Sequence, residues 1–215
     1  MTSIRTTVLR RAALAAAAVT SAFVLVGCGA DDQPDTAASG AGQTTEAHNA
    51  QDVSFAQGMI PHHQQALQMA EMAADRASSA QVKDLAARIE KAQDPEIRTM
   101  TGWLKTWGED VPSAAPGGMD HSGHSGGSDA SGMPGMMGED DMAKLSKASG
   151  KAFDALFLNL MVEHHEGAVE MAEDEKAKGE YGPATGLADA VVTAQTAEIE
   201  EMNKLLGKNA GNTGS

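Results

Sequence analysis

The sequence predicts an all-α protein: a four-helix bundle made of two duplicated helical hairpins joined by one long flexible crossover. Three observations carry this. The chain is 41% hydrophobic but only 3% aromatic, so its core must come from Ala, Leu, Val, Ile and Met. A sheet sandwich usually wants β-branched and aromatic residues, whereas this mixture favours helices. Apolar residues also recur at helical spacing in two separate stretches. Finally, those two stretches are copies of each other.

The copies align without a gap after a shift of 102 positions. Asp52, Phe55, Met59, His62, His63, Ala66, Met69, Ala70 and Glu71 match Asp154, Phe157, Met161, His164, His165, Ala168, Met171, Ala172 and Glu173. Leu85, Ala86, Ala92, Gln93, Glu96, Ile97, Met100 and Leu104 match Leu187, Ala188, Ala194, Gln195, Glu198, Ile199, Met202 and Leu206. These are 17 identities over Asp52–Leu104, where ordinary residue usage gives roughly three or four by chance. An internal duplication explains them.

Each copy reads as two helices. In the first, Asn49 followed by Asp52 is a helix start, and the break falls in Ala77–Asp84. In the second, Lys178–Gly186 carries three glycines and a proline, which ends one helix and begins another. Pro95 predicts a kink within the second helix and not a new element, because the matched residue is Ala197. A single hairpin cannot bury its apolar face alone, so the two pack together. One long connection between the second and third helices is the ferritin-like topology.

The N-terminal segment is an address. Arg5, Arg10 and Arg11 precede the apolar run Ala12–Val26, which ends in Leu-Val-Gly-Cys. That ending resembles a bacterial lipobox, in which Cys28 is lipidated and begins the mature chain. Residues 1–27 are thus expected to be a lipoprotein signal peptide and 28–47 a flexible tether. The bundle covers 48–209, with hairpin one at 48–108, a Met/His/Gly-rich linker at 109–143 and hairpin two at 144–209. Residues 210–215 form a tail. Cys28 is the sole cysteine, so a soft-metal site must use Met and His. The formal charge is −14, or −17 without the three leader arginines. So acidic a chain does not bind nucleic acid through its phosphates.

The paired histidines are the sequence's least expected feature. Folding each hairpin about its turn sets His63 opposite Glu96, His62 opposite Ile97 and Met59 opposite Met100. The second copy repeats this with Met161, His164, His165, Glu198 and Met202. Met59, His62 and His63 share one side of their helix. Adjacent histidines diverge by about 100°, so one points inward and the other toward the neighbouring hairpin or solvent. Thioether and imidazole without thiolate suit copper best. Zinc rarely takes Met, and a di-iron bundle needs Glu-x-x-His, which is absent from the sequence. Met69 and Met171 read as core. Gln93 and Gln195 are either hydrogen-bond supports of the site or interhelical partners. The linker adds Met119, His121, His124, Met133, Met136 and Met137.

The pattern Asp-x-x-Phe-x-x-x-Met-x-x-His-His-x-x-Ala-x-x-Met-Ala, then Ala-Gln-x-x-Glu-Ile-x-x-Met, resembles the domain of unknown function 305 family. It occurs twice, over Asp52–Trp107 and Asp154–Leu206. The resemblance implies an exported ferritin-like bundle, related in some cases to copper binding or resistance. It carries over at Met59, His62, His63, Met69, Glu96 and Met100 and at their counterparts 102 residues later. Pro61 and Pro95 make the first copy less regular. The expectation is copper held by Met59, His62, His63, Glu96 and Met100, and by Met161, His164, His165, Glu198 and Met202, in a lipid-anchored protein that buffers, sequesters or hands on copper and is not an enzyme. A histidine near the open end of a hairpin would carry little of the core. A metal-free envelope scaffold and a ferritin-like metallo-oxidase remain as the other readings.

Overall fold

The computed structural model describes residues 47–113 and 132–207. The signal segment, Cys28, most of the tether, linker residues Met119, His121 and His124, and the tail lie outside the described residues. Five helices and no strand occur among the described residues: α1 (Ala50–Arg76), α2 (Ala80–Trp107), α3 (Glu139–Lys147), α4 (Gly150–Lys178) and α5 (Gly182–Leu205).

The expected start of α1 is a capping box. Asn49 Oδ1 accepts from the backbone N–H of Gln51 and Asp52 at 2.8 and 3.2 Å, and Asp52 Oδ2 accepts from Asn49 N–H at 2.6 Å. These contacts satisfy donors that a helix N-terminus leaves without partners. Helix α2 passes through Pro95 as one element and stops at Gly108, whose φ of +77° suits a residue without Cβ. α5 has Pro183 in its first turn, where a missing N–H costs nothing.

Helix α1 packs on α2, and α4 on α5. The two hairpins meet chiefly through α1 and α4. These central helices run antiparallel, so the start of each lies beside the turn of the other hairpin. The carboxylate of Asp52 accepts from the backbone N–H of Glu180 and Tyr181 in the α4–α5 turn, the latter at 3.0 Å. Asp154 does the same for Ser78 and Ser79 in the α1–α2 turn, at 3.0 and 3.1 Å. Each half of the duplication therefore ties down the other's turn.

The linker departs from expectation. The reading of 109–143 as a flexible linker fails in its last part: 132–138 lie docked on α1 and α4, and α3 spans the expected boundary at 143/144. Met137 and Leu145 are buried and anchor this stretch. α3 is too short to show a periodic stripe. Its three acidic residues at the start and two lysines at the end favour a helix through the backbone dipole.

The core has two apolar clusters. One gathers Met59, Ile60, Met100 and Leu104 with Ala168 and Ala172. The other gathers Ala66, Met69 and Ala70 with Phe157, Met161 and Met202. Between them, at mid-height on α1 and α4, lie the histidine pairs. No helix among the described residues is long and apolar enough to cross a membrane.

Candidate metal centre

All four histidines are 0% exposed. This corrects the expectation that they sit near an open end: residues 62 and 63 fall in the middle of a 27-residue helix, and the second pair packs against the first. The rings of His62 and His164 approach to 3.8 Å between centroids, tilted by 41°. Two expected sites, one per hairpin, are therefore one continuous layer. Of each adjacent pair, one histidine faces the other hairpin and one faces its own partner helix.

The outward-facing rings obey the antiparallel register read from the sequence. His63 Nε2 lies 2.7 Å from Glu96 Oε2, and His165 Nε2 lies 2.7 Å from Glu198 Oε2. A carboxylate only accepts, so Nε2–H donates to it. In the neutral ring, that leaves a lone pair on Nδ1. Glu96 and Glu198 thus hold and orient the histidines.

His62 differs from His164. Its Nε2–H donates to the Pro134 carbonyl at 3.1 Å, while neither ring nitrogen of His164 has a hydrogen bond of good geometry. Burial pushes His62 down to about 3, and the closeness of the His63 ring, which disfavours a second positive charge, acts the same way. Burial, then His62 and the other two rings, holds His164 well below its ordinary value. Both are neutral at physiological pH, because a low-dielectric interior disfavours the cation. The Nδ1 atoms of His62, His63 and His165 also lack hydrogen-bond partners. Gln93 and Gln195 are buried nearby on α2 and α5, and their amides retain unpartnered atoms.

Met59 and Met100 lie in one apolar cluster and Met161 and Met202 in the other, all fully buried. They flank the imidazole layer on its two sides. Among the described residues, no three His, Cys, Asp or Glu side chains are placed to grip one ion. Imidazoles bordered by thioethers instead suit a soft ion of low coordination number.

The docked strap at residues 132–138 is a feature that sequence reading missed. Gln65 holds it from both sides: Nε2 donates to the Met137 carbonyl at 2.9 Å, and Oε1 accepts from the Met137 N–H at 2.7 Å. A Cβ on Gly167 would stand 2.1 Å from the Pro134 carbonyl oxygen, so only glycine admits the strap there. The signal was present in the repeat, where Gly167 matches Gln65. Buried Glu175 was also missed. Its carboxyl is pushed up to about 8, by burial first and then by Asp52 beside it.

Comparison with known proteins agrees with this architecture. The chain is similar to a Streptomyces coelicolor protein described as secreted, at 33% identity and a TM-score of 0.63, covering 77% of this chain and 97% of that one. It is similar to CopM in the Cu(II)-bound form at 35% identity and a TM-score of 0.60, over 73% of this chain and 96% of that one. CopM has also been solved in Cu(I)-bound and Ag-bound forms. A fragment from Deinococcus radiodurans matches at 31% identity and a TM-score of 0.62, over 74% and 97%. No curated protein sequence matches the chain significantly. The family described as "Domain of unknown function (DUF305)" matches residues 52–206, and the chain belongs to it.

Proposed function

We propose that this is an exported copper-binding lipoprotein, anchored at Cys28, that buffers, sequesters or hands on copper without catalytic turnover. One observation carries the reading: four buried imidazoles form a layer between thioether-bearing apolar clusters, with ring nitrogens left without partners. Burying polar nitrogens unpaired costs roughly 1–3 kcal/mol each. A layer that concentrates this cost in one place is accounted for by a ligand that uses those nitrogens. The relatives solved with copper and silver support the choice of metal, and the secreted relative supports export.

In this reading His62 and His164 hold the ion between the hairpins, with His63 and His165 beside them. Glu96 and Glu198 orient rather than ligate, a common arrangement in metal sites. Met59, Met100, Met161 and Met202 supply soft donors at the edges of the layer. The carboxylates are engaged by imidazole, which speaks against a di-iron oxidase. The acidic surface raises the local concentration of cations.

The test is a titration of the full chain with Cu(I) and Cu(II) against competing chelators, beside His62→Leu/His164→Leu. Leucine keeps the core filled, whereas the alanine pair would leave a cavity at mid-bundle. The wild type should bind Cu(I), and the variant should lose most of that affinity while staying folded. Equal stoichiometry and affinity in both would refute the site. Cys28→Ala should leave the membrane fraction, and unchanged attachment would remove the anchor.

A further inference from the structure

The two halves of the repeat differ at one further place. Gly58 on α1 matches Leu160 on α4, which is buried. Met69 and Met171 are also matched, but Met69 is 0% exposed in the core while Met171 is only partly covered. Where Gly58 leaves room, two thioethers converge. A Cβ built on Gly58 would lie 3.7 Å from Met133 Sδ, in the strap, and 3.7 Å from Met171 Sδ, on α4. Gly58 is one turn of α1 before His62, about 6 Å along the helix axis. Met133 adjoins Pro134, whose carbonyl occupies His62 Nε2.

We infer that Met133 and Met171 form a second, outer soft-ion site that captures Cu(I) or Ag(I) at the mouth of the histidine layer. This rests on the copper-binding reading but names a different set of ligands. Thioethers select soft monovalent ions, and methionine's three rotatable bonds let both sulfurs close on an ion from their present positions. The part-exposed position gives the pair access to solvent, which the histidines lack. The strap links the two sites: the segment that carries the Met133 sulfur also holds the His62 proton. Among the described residues the other half of the repeat shows no such pair, because Leu160 stands where Gly58 leaves room.

Ag(I) titration of the full chain labelled at methionine methyl groups tests this. The Met133 and Met171 methyl resonances should shift together, and should still do so in His62→Leu/His164→Leu. Met133→Leu/Met171→Leu should bind one Ag(I) fewer than the wild type. Gly58→Leu, which copies the other half and keeps both sulfurs, should suppress the paired shift. If Ag(I) binds but these two methyls stay unmoved, or if the double leucine variant binds the same number of ions equally well, the methionines only plug the space over Gly58. The outer site then falls while the histidine layer stands. A wild type that binds no Ag(I) overturns both.

Discussion

The two ends of the bundle close the same joint by different means. At each, an aspartate near the start of one hairpin accepts from backbone amides in the other's turn. At the Asp52 end the carboxylate is fully buried, Glu175 stands beside it, and an aromatic group covers the joint. Tyr181 meets Trp103 and Trp107 edge-on, with centroids at 5.5 and 5.2 Å, and His48 stacks on Trp107 at 4.4 Å. At the Asp154 end the residue matching Glu175 is Ala73, that matching Trp103 is Leu205, and that matching Tyr181 is Ser79. A cavity of about 300 Å³ remains there, lined by Ser79, Val82, Lys151, Leu158 and Leu205. The duplication copied the hydrogen-bonding logic and left the cover to vary. Polar pairing that satisfies the turn's backbone amides is constrained, while the volume above it has many solutions.

Breaking the joints should show the largest effect. Asp52→Ala removes the buried acceptor that holds the α4–α5 turn and should cost about 3–4 kcal/mol, against about 2 kcal/mol for the part-exposed Asp154→Ala. Denaturant unfolding of the two variants measures the difference. Equal losses would mean that the aromatic cover adds nothing.

The ends should also differ in pH response. The Glu175 carboxyl is raised from 4.5 to about 8 in the fold, so the folded chain holds a proton that the unfolded chain releases. Stability from this group is complete at low pH and is lost as pH rises from about 5 toward 8, at up to about 1.4 kcal/mol per pH unit. Asp52 acts oppositely: its folded value lies below 3.8, so its contribution is lost on acidification below that range. Glu175→Gln should flatten the unfolding free energy between pH 5 and 8. A slope that persists would place the titrating group elsewhere.

A smaller contrast lies across the strap. Gly167→Ala cannot keep the Pro134 carbonyl in place and should release residues 132–138, at about 2 kcal/mol. The matched Gln65→Ala removes two hydrogen bonds at about 1 kcal/mol each. Faster hydrogen exchange at the Met137 amide should accompany both. The smallest effect is expected from Leu205→Trp, which copies Trp103 into the cavity and should add about 1 kcal/mol of stability by burying apolar surface. A lowered Tm would show that the cavity does not match an indole in shape.

Much of this was legible beforehand because a repeat compares a chain with itself. The ungapped shift exposed both hairpins, the matched aspartates and the histidine pairs, and antiparallel register alone paired His63 with Glu96 and His165 with Glu198. These follow from local rules: helical periodicity, capping chemistry, and the fixed rise per residue that sets what faces what within one hairpin. How one hairpin meets the other does not follow from them. The approach of His62 to His164, the descent of the strap onto Gly167 and the burial of Glu175 against Asp52 depend on how two separately plausible surfaces interlock. Matched positions hide such contacts, since Gly167 and Gln65, or Ala73 and Glu175, read as ordinary divergence until they are brought together. Sequence alone thus determined the helices, their pairing within each hairpin and the facing of histidine by glutamate. Only the tertiary structure decided that two histidine pairs become one layer, because that depends on side-chain packing between elements about a hundred residues apart.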